Sequence, residues 1–345
     1  MYVKTIEQEV MSYAIRYQRL SEMVKETFSN SKYANSTEIN LYIDLTKMIR
    51  EMEDIQFTDP MSISANILNL CAHYKSFFRK GYGVEAKIFL LYSRGKFEIN
   101  RMYYKDYRFT DRIFHDSTTL IQNRDIIEMV CKYLDNIIFM ETSEEIGNVA
   151  LDISLIESKD NIPNILITKD RYNYIMTSFN FIIFRPKKHE GQDLSYVITQ
   201  DNVIHQYQVD RKIKVVPQSL SPALLPFIMA LTKVPERNIK SRMNVSTAIN
   251  AITKAISLGR LNNSYINDAR YAAGEIRHCT TSNIDVYEVE SIYRSVDLFQ
   301  VYNGYRFSEH GKRYHGMINL KDPNGINEIS QIYYQKTPVD FPSLL

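Results

Sequence analysis

Apolar residues run on without interruption through several short stretches of this chain, recur every third or fourth position through others, and the two patterns alternate. Residues 39–44 (INLYID), 87–92 (KIFLLY), 136–140 (NIIFM) and 164–169 (NILITK) are largely apolar, without the alternation of a half-exposed strand. Such runs fit strands covered on both faces, as in a parallel sheet. Between them, 45–53, 62–79 (SISANILNLCAHYKSFFR), 125–134 and 144–157 read as helices. In the second of these, Ile63, Ile67, Leu70, Tyr74 and Phe77 share one face, His73 borders it, and Gly81 and Gly83 supply the stop. Strand and helix in turn predict an α/β fold, a parallel central sheet flanked by helices on both sides. Shorter strands are expected at 179–184, 196–199 and 212–216, and helical hairpins over 222–270. Residues 3–30 read as one or two helices, and the tail from 281 has no clear period. The expected organisation is an N-terminal helical extension (1–37), an α/β domain (38–216), a helical module (217–270) and a C-terminal extension (271–345).

Two of the apolar runs end in a carboxylate, at Asp44 and Asp170. Ligands of open α/β sheets lie beyond the carboxyl ends of the strands, so the chain is expected to gather acids at one sheet edge. Composition narrows the class of protein. With 345 residues, 44% hydrophobic and 24% charged, the chain is an ordinary globular sequence able to bury more than one small core. A net charge of +2 does not locate a basic patch. Cys71, Cys131 and Cys279 are far apart with no CxxC spacing, which argues against a cysteine zinc cluster and a disulfide framework. The N-terminal MYVKTIEQEVMSY carries charge throughout, and no apolar run approaches a membrane span, so a cytoplasmic protein with no membrane partner is expected. The excess of Tyr (25, against no Trp) fits AT-rich coding and carries no mechanism.

The order of short motifs over residues 38–260 resembles the 5′-nuclease family, the flap endonucleases and bacteriophage 5′–3′ exonucleases with a PIN-like core. LYIDLTKMIREME at 41–53 is similar to that family's first strand, with Asp44 at its first metal ligand. KIFLLYS matches the second strand, which in the family ends in aspartate and here ends in Ser93. NRMYYKDYR at 100–108 resembles the basic "YKANR" segment. ETSEEIGNVALDI stands where "EADD" is expected and keeps Glu145, with Gly147 and Asn148 in place of the paired aspartates. ITKDRYNYIM is similar to "TSDKDLLQL", with Asp170 matching one of its two aspartates. ALTKVPERNIKSRMNVSTAINAI at 230–252 looks like the helix-three-turn-helix module, with Val234 and Arg237 where the family has acids.

What the resemblance implies is a metal site reduced to Asp44, Glu145 and Asp170, the residues that would also carry catalysis. Hard divalent ions about 4 Å apart need several oxygen ligands each, so two Mg²⁺ ions are under-supplied; three carboxylates with waters suit one. DNA contacts are implied for Arg101, Tyr104, Lys105 and Arg108, where aromatics interleave with cations, and for Lys233, Arg237, Lys240, Arg242 and the Ser246 hydroxyl. In that module Asn244 is the residue suited to a left-handed turn. Other features read as structural. The basic turn from Arg185 to His189 is a solvent loop, His310 and His315 lack ligand spacing, and Cys71 belongs to the core. The leading expectation is a bacteriophage-encoded protein that holds branched or single-stranded DNA and hydrolyses it weakly or not at all. The alternatives are an active Mg²⁺-dependent 5′–3′ exonuclease or flap endonuclease, and a phage structural or interaction protein, in the virion or the host cytoplasm, that uses the fold as a scaffold and binds a protein partner through its termini.

Overall fold

The computed structural model describes residues 35–53, 59–95, 97, 117–157, 162–177, 181–186, 188–189, 192–193, 195–211, 220–232, 243–262 and 269–280. The expected strands form one mostly parallel sheet: β1 (Glu38–Asp44), β2 (Glu85–Ser93), β3 (Ile137–Thr142), β4 (Asn164–Ile167), β5 (Phe181–Arg185) and β8 (Tyr196–Ile198), in the order β3-β2-β1-β4-β5-β8. The first five run parallel and β8 closes the edge antiparallel to β5. A separate hairpin pairs β6 (Lys188–His189) with β7 (Gln192–Asp193). The connecting helices are α1 (Leu45–Glu53), α2 (Pro60–Tyr82), α3 (Thr118–Cys131), α4 (Ile146–Glu157) and α5 (Val203–Arg211). Beyond them lie α6 (Leu225–Leu231), α7 (Val245–Ser257) and α8 (Ala269–His278). α1, α2 and α3 pack together over β2 and β3, while α4 lies on β1, β2 and β4, so both faces of the sheet are covered.

Local chemistry fixes these boundaries. The Asp59 carboxylate accepts from the N–H groups of Met61 and Ser62, and Pro60 occupies the first helical position, where its missing N–H costs nothing. α2 runs through Gly81 and stops at Gly83, whose φ of 68° suits a residue without Cβ and returns its N–H to Arg79. α3 begins at Thr118, earlier than the apolar period indicates, because the Ser117 hydroxyl accepts from Leu120 N–H and starts the helix on polar residues. α5 has no counterpart in the sequence reading, since its buried face rests on Val203 and Tyr207 alone, too short a repeat among polar residues to mark a helix. The helices expected over 3–30, the strand at 212–216 and the tail from 281 lie outside the described residues.

A single core joins the sheet to α6, α7 and α8, so that Ile43, Leu90, Phe227, Ile249 and Ile276 belong to one buried cluster. Within it, Asn40 and the Tyr42 hydroxyl both donate to the Asn164 carboxamide oxygen, at 3.1 and 2.9 Å, which ties β1 to β4 in one register. Cys71 is buried in this core as expected, and burial pushes its thiol from an ordinary 9.0 up to about 12. The folded state holds the neutral thiol, whereas the unfolded chain ionises above pH 9, so this stabilisation is complete below pH 9 and is lost as pH rises toward 12. At pH 10 the loss is about 1.4 kcal/mol. Urea unfolding at pH 7.5 and 10 should show Cys71→Ala losing less stability over that interval than the unaltered chain; equal losses would assign the alkaline sensitivity to other groups.

Candidate functional site

The strand order reverses about β1, which has β2 on one side and β4 on the other. This is the topological switch point, where the connections leave to opposite sides and open a crevice at the carboxyl ends of the strands. Because Ile43 pairs with Ile167, Asp44 stands level with Thr168, the residue that follows β4. Asp44 is 8% exposed; its Oδ1 accepts from Lys47 N–H at 3.1 Å and its Oδ2 from the Thr168 hydroxyl at 3.5 Å. Asp170 caps the 3₁₀ segment Arg171–Met176, accepting from Tyr172 N–H at 3.0 Å, while its own N–H donates to Thr168 Oγ1 at 3.1 Å. Glu145 is buried directly before α4 and its carbonyl accepts from Val149 N–H. Asp44, Asp170 and Glu145 thus all lie at the carboxyl edge. Among the described residues no three His, Cys, Asp or Glu side chains come together as a cation site.

The neutral residues of this edge are as well placed as the acids. Ser93 ends β2; its hydroxyl donates to the Glu144 carbonyl at 2.7 Å and accepts from Gly95 N–H, and its own N–H donates to Thr46 Oγ1 at 2.7 Å. It therefore joins β2 to α1 and to the turn before α4. Gly147, in the first turn of α4, faces the Asn173 carboxamide so closely that an added Cβ would stand 2.7 Å from Asn173 Cγ and overlap its Oδ1. Asn173 in turn donates to Thr168 Oγ1 at 3.2 Å. Charge at the edge is balanced by ion pairs that sequence inspection misses. Glu141 at the end of β3 pairs with Arg94 and, at 3.2 Å, with Arg124 of α3; Lys169 pairs with Glu51 of α1 at 2.5 Å.

Divalent ions do not fit this arrangement as it stands. Both oxygens of Asp44 accept hydrogen bonds from the protein, Ser93 has its hydroxyl committed to backbone, and the Asn173 amide fills the space over Gly147.

Solved structures with the same architecture come from bacteriophage T5. Its flap endonuclease, determined as a pseudo-enzyme–product complex with DNA and metal ions, aligns with a TM-score of 0.50 and 11% identity, over 85% of this chain and 98% of the other. The T5 5′-exonuclease with bound zinc aligns with a TM-score of 0.51, again at 11% identity, over 86% and 99%. The chain has the 5′-nuclease fold. No protein-family model and no curated protein sequence matches it. The expected α/β architecture and its likeness to 5′-nucleases therefore stand, at the level of fold.

Within this 5′-nuclease fold the expected DNA-contacting residues fall largely in two segments outside the described residues: Arg101, Tyr104, Lys105 and Arg108 in 98–116, and Lys233, Arg237, Lys240 and Arg242 in 233–242. The anchors of both are described. The first segment leaves β2 after Phe97, whose N–H donates to Ser143 O, and rejoins at the Ser117 cap; the second is closed at its base by a bridge between Thr232 and Met243. Ser246 is exposed in the first turn of α7. Asn244 does not take the left-handed conformation expected of it. With φ −79° and ψ 160° it is extended and caps α7, accepting from Thr247 N–H at 2.8 Å, because a helix N-terminus gains more from an acceptor than from a turn. Arg185 is likewise no open loop residue, since it pairs with Asp210. Thr168 and Asn173, which organise the edge, escaped the sequence reading; the only signal was their position between a strand end and a short helix.

Proposed function

We propose that the protein binds nucleic acid on a 5′-nuclease fold, holding branched or single-stranded DNA with weak or no hydrolysis. One observation carries this reading: at the switch point the Ser93 hydroxyl is bonded to the Glu144 carbonyl and the Asn173 amide to Thr168 Oγ1 over Gly147, so neutral groups bonded within the protein stand where the family resemblance leads one to expect acids. The cation-bearing segment 98–116 is the connection that starts at this same edge, after β2, which supports DNA contact there. A T5 protein of like fold was solved with DNA and metal ions, which supports nucleic acid as the ligand class and a bacteriophage source acting in the host cytoplasm. No helix among the described residues is long and apolar enough to cross a membrane.

Charge-driven binding weakens as salt rises, through counterion release. Replacing Lys105, Arg108, Arg237 and Lys240 together by Ala is expected to lower affinity for forked DNA and to flatten the log–log salt slope by about 3 to 4. Fluorescence anisotropy from low to moderate salt measures both. Unchanged binding by the folded quadruple variant would favour the interaction-protein reading. The second reading, an active Mg²⁺-dependent nuclease, would require Asp44 and Asp170 to exchange their present hydrogen bonds and converge with Glu145 on one ion, which they do not do in this arrangement.

A further inference from the structure

We infer that Asn173 is a positioning residue that closes the switch point, its carboxamide taking the volume over Gly147 and, through Thr168, holding the Asp44 carboxylate with a protein hydrogen bond where a cation would otherwise stand. The inference rests on the proposed non-hydrolytic reading of this edge and deepens it.

Three observations support it. The Thr168 hydroxyl has one proton and two acceptor sites, and both acceptor sites are filled, by Asp170 N–H at 3.1 Å and by Asn173 Nδ2 at 3.2 Å. Its proton is therefore directed to Asp44 Oδ2 at 3.5 Å, so the chain of donors runs one way, from Asn173 through Thr168 to the carboxylate. Second, Asn173 is 2% exposed, yet its Oδ1 has no hydrogen-bond partner among the described residues, which is unusual for a buried carboxamide and indicates that the group is held for its position. Third, that oxygen lies where a side chain from residue 147 would have to emerge, so any side chain at 147 forces the buried Asn173 carboxamide to move. α4 and the 3₁₀ segment are packed against each other at this point. A carboxylate placed at 147 after removal of the Asn173 amide would project into the vacated volume beside Thr168 and Asp44.

The experiment measures Mn²⁺ alone, by calorimetric titration and by its effect on Tm, for the full chain and for the Asn173→Ala, Gly147→Asp double variant. The unaltered chain is expected to show no Mn²⁺-dependent shift. The double variant should gain one of roughly 5 °C at a hundredfold excess of Mn²⁺ over Kd, lost again on adding Asp44→Ala. A folded double variant without that gain, or an unaltered chain that binds Mn²⁺ equally well through Asp44, overturns the inference. If the double variant does not fold, the steric cycle decides. Gly147→Ala should lower Tm by several degrees in the native background and by little in the Asn173→Ala background; equal losses in both overturn it. DNA binding by the unaltered chain, measured on the same preparations, reports on the proposed function separately.

Discussion

Purified protein given a labelled 5′-flap or nicked DNA in Mg²⁺ or Mn²⁺ is expected to cut it no faster than an Asp44→Ala, Asp170→Ala double variant does. Hydrolysis by a two-ion mechanism needs a water made nucleophilic by metal charge, which lowers its pKa, and ions held about 4 Å apart by several carboxylates. Here Ser93, Gly147 and Asn148 bring no charge to the edge, and the resemblance puts Val234 and Arg237 where the family has its further acids. Asp44 itself is occupied by Lys47 N–H and the Thr168 hydroxyl. Robust cleavage by the unaltered chain that vanishes in the double variant would overturn this expectation and make the protein an enzyme with a sparse metal site.

Asp210→Ala is expected to cost about 3 to 5 kcal/mol of folding stability, the largest loss we anticipate for a single substitution away from the central sheet. Arg185 and Asp210 form an ion pair at 2.5 Å, with side chains only 12% and 3% exposed. The Tyr174 hydroxyl donates to Asp210 at 2.5 Å and the Tyr196 hydroxyl at 2.7 Å, and Arg185 donates to both phenols. The guanidinium also lies over the two rings, 5.9 and 5.8 Å from their centroids. Burial raises both phenols above their ordinary value of 10.0, so each stays a neutral donor. Removing the carboxylate strands a mostly buried guanidinium, and that is the source of the cost. Asp210→Leu combined with Arg185→Met should recover much of it, because no charge is then left unpaired. Urea unfolding of the two variants tests this, and a loss under about 1 kcal/mol for Asp210→Ala would mean that solvent reaches the cluster. Tyr174 belongs to the 3₁₀ segment that also carries Asn173, so the cluster braces the candidate site from behind.

The pattern of residues along the chain determined most of the fold. Largely apolar runs at 39–44, 87–92, 136–140 and 164–169 became β1 to β4, since a strand covered on both faces buries successive residues, and its few polar ones, such as Asn40 and Asn164, pair with each other. Runs ending in Asp44 and Asp170 likewise placed both carboxylates at one edge of the sheet, because strand ends are local features and parallel strands bring their carboxyl ends together. α5 was not legible: its buried residues Val203 and Tyr207 stand among His205, Gln206, Gln208 and Asp210, and the ion pair of Asp210 with Arg185 on β5 is a tertiary contact that no local pattern announces. Whether the acids of the edge are ligands or hydrogen-bond acceptors was also beyond the sequence. That depends on Thr168 standing level with Asp44, on Asn173 facing Gly147 and on Ser93 reaching Glu144. Those residues lie on separate elements, and only the packing of α4 and the 3₁₀ segment around the ends of β1, β2 and β4 sets the distances between them.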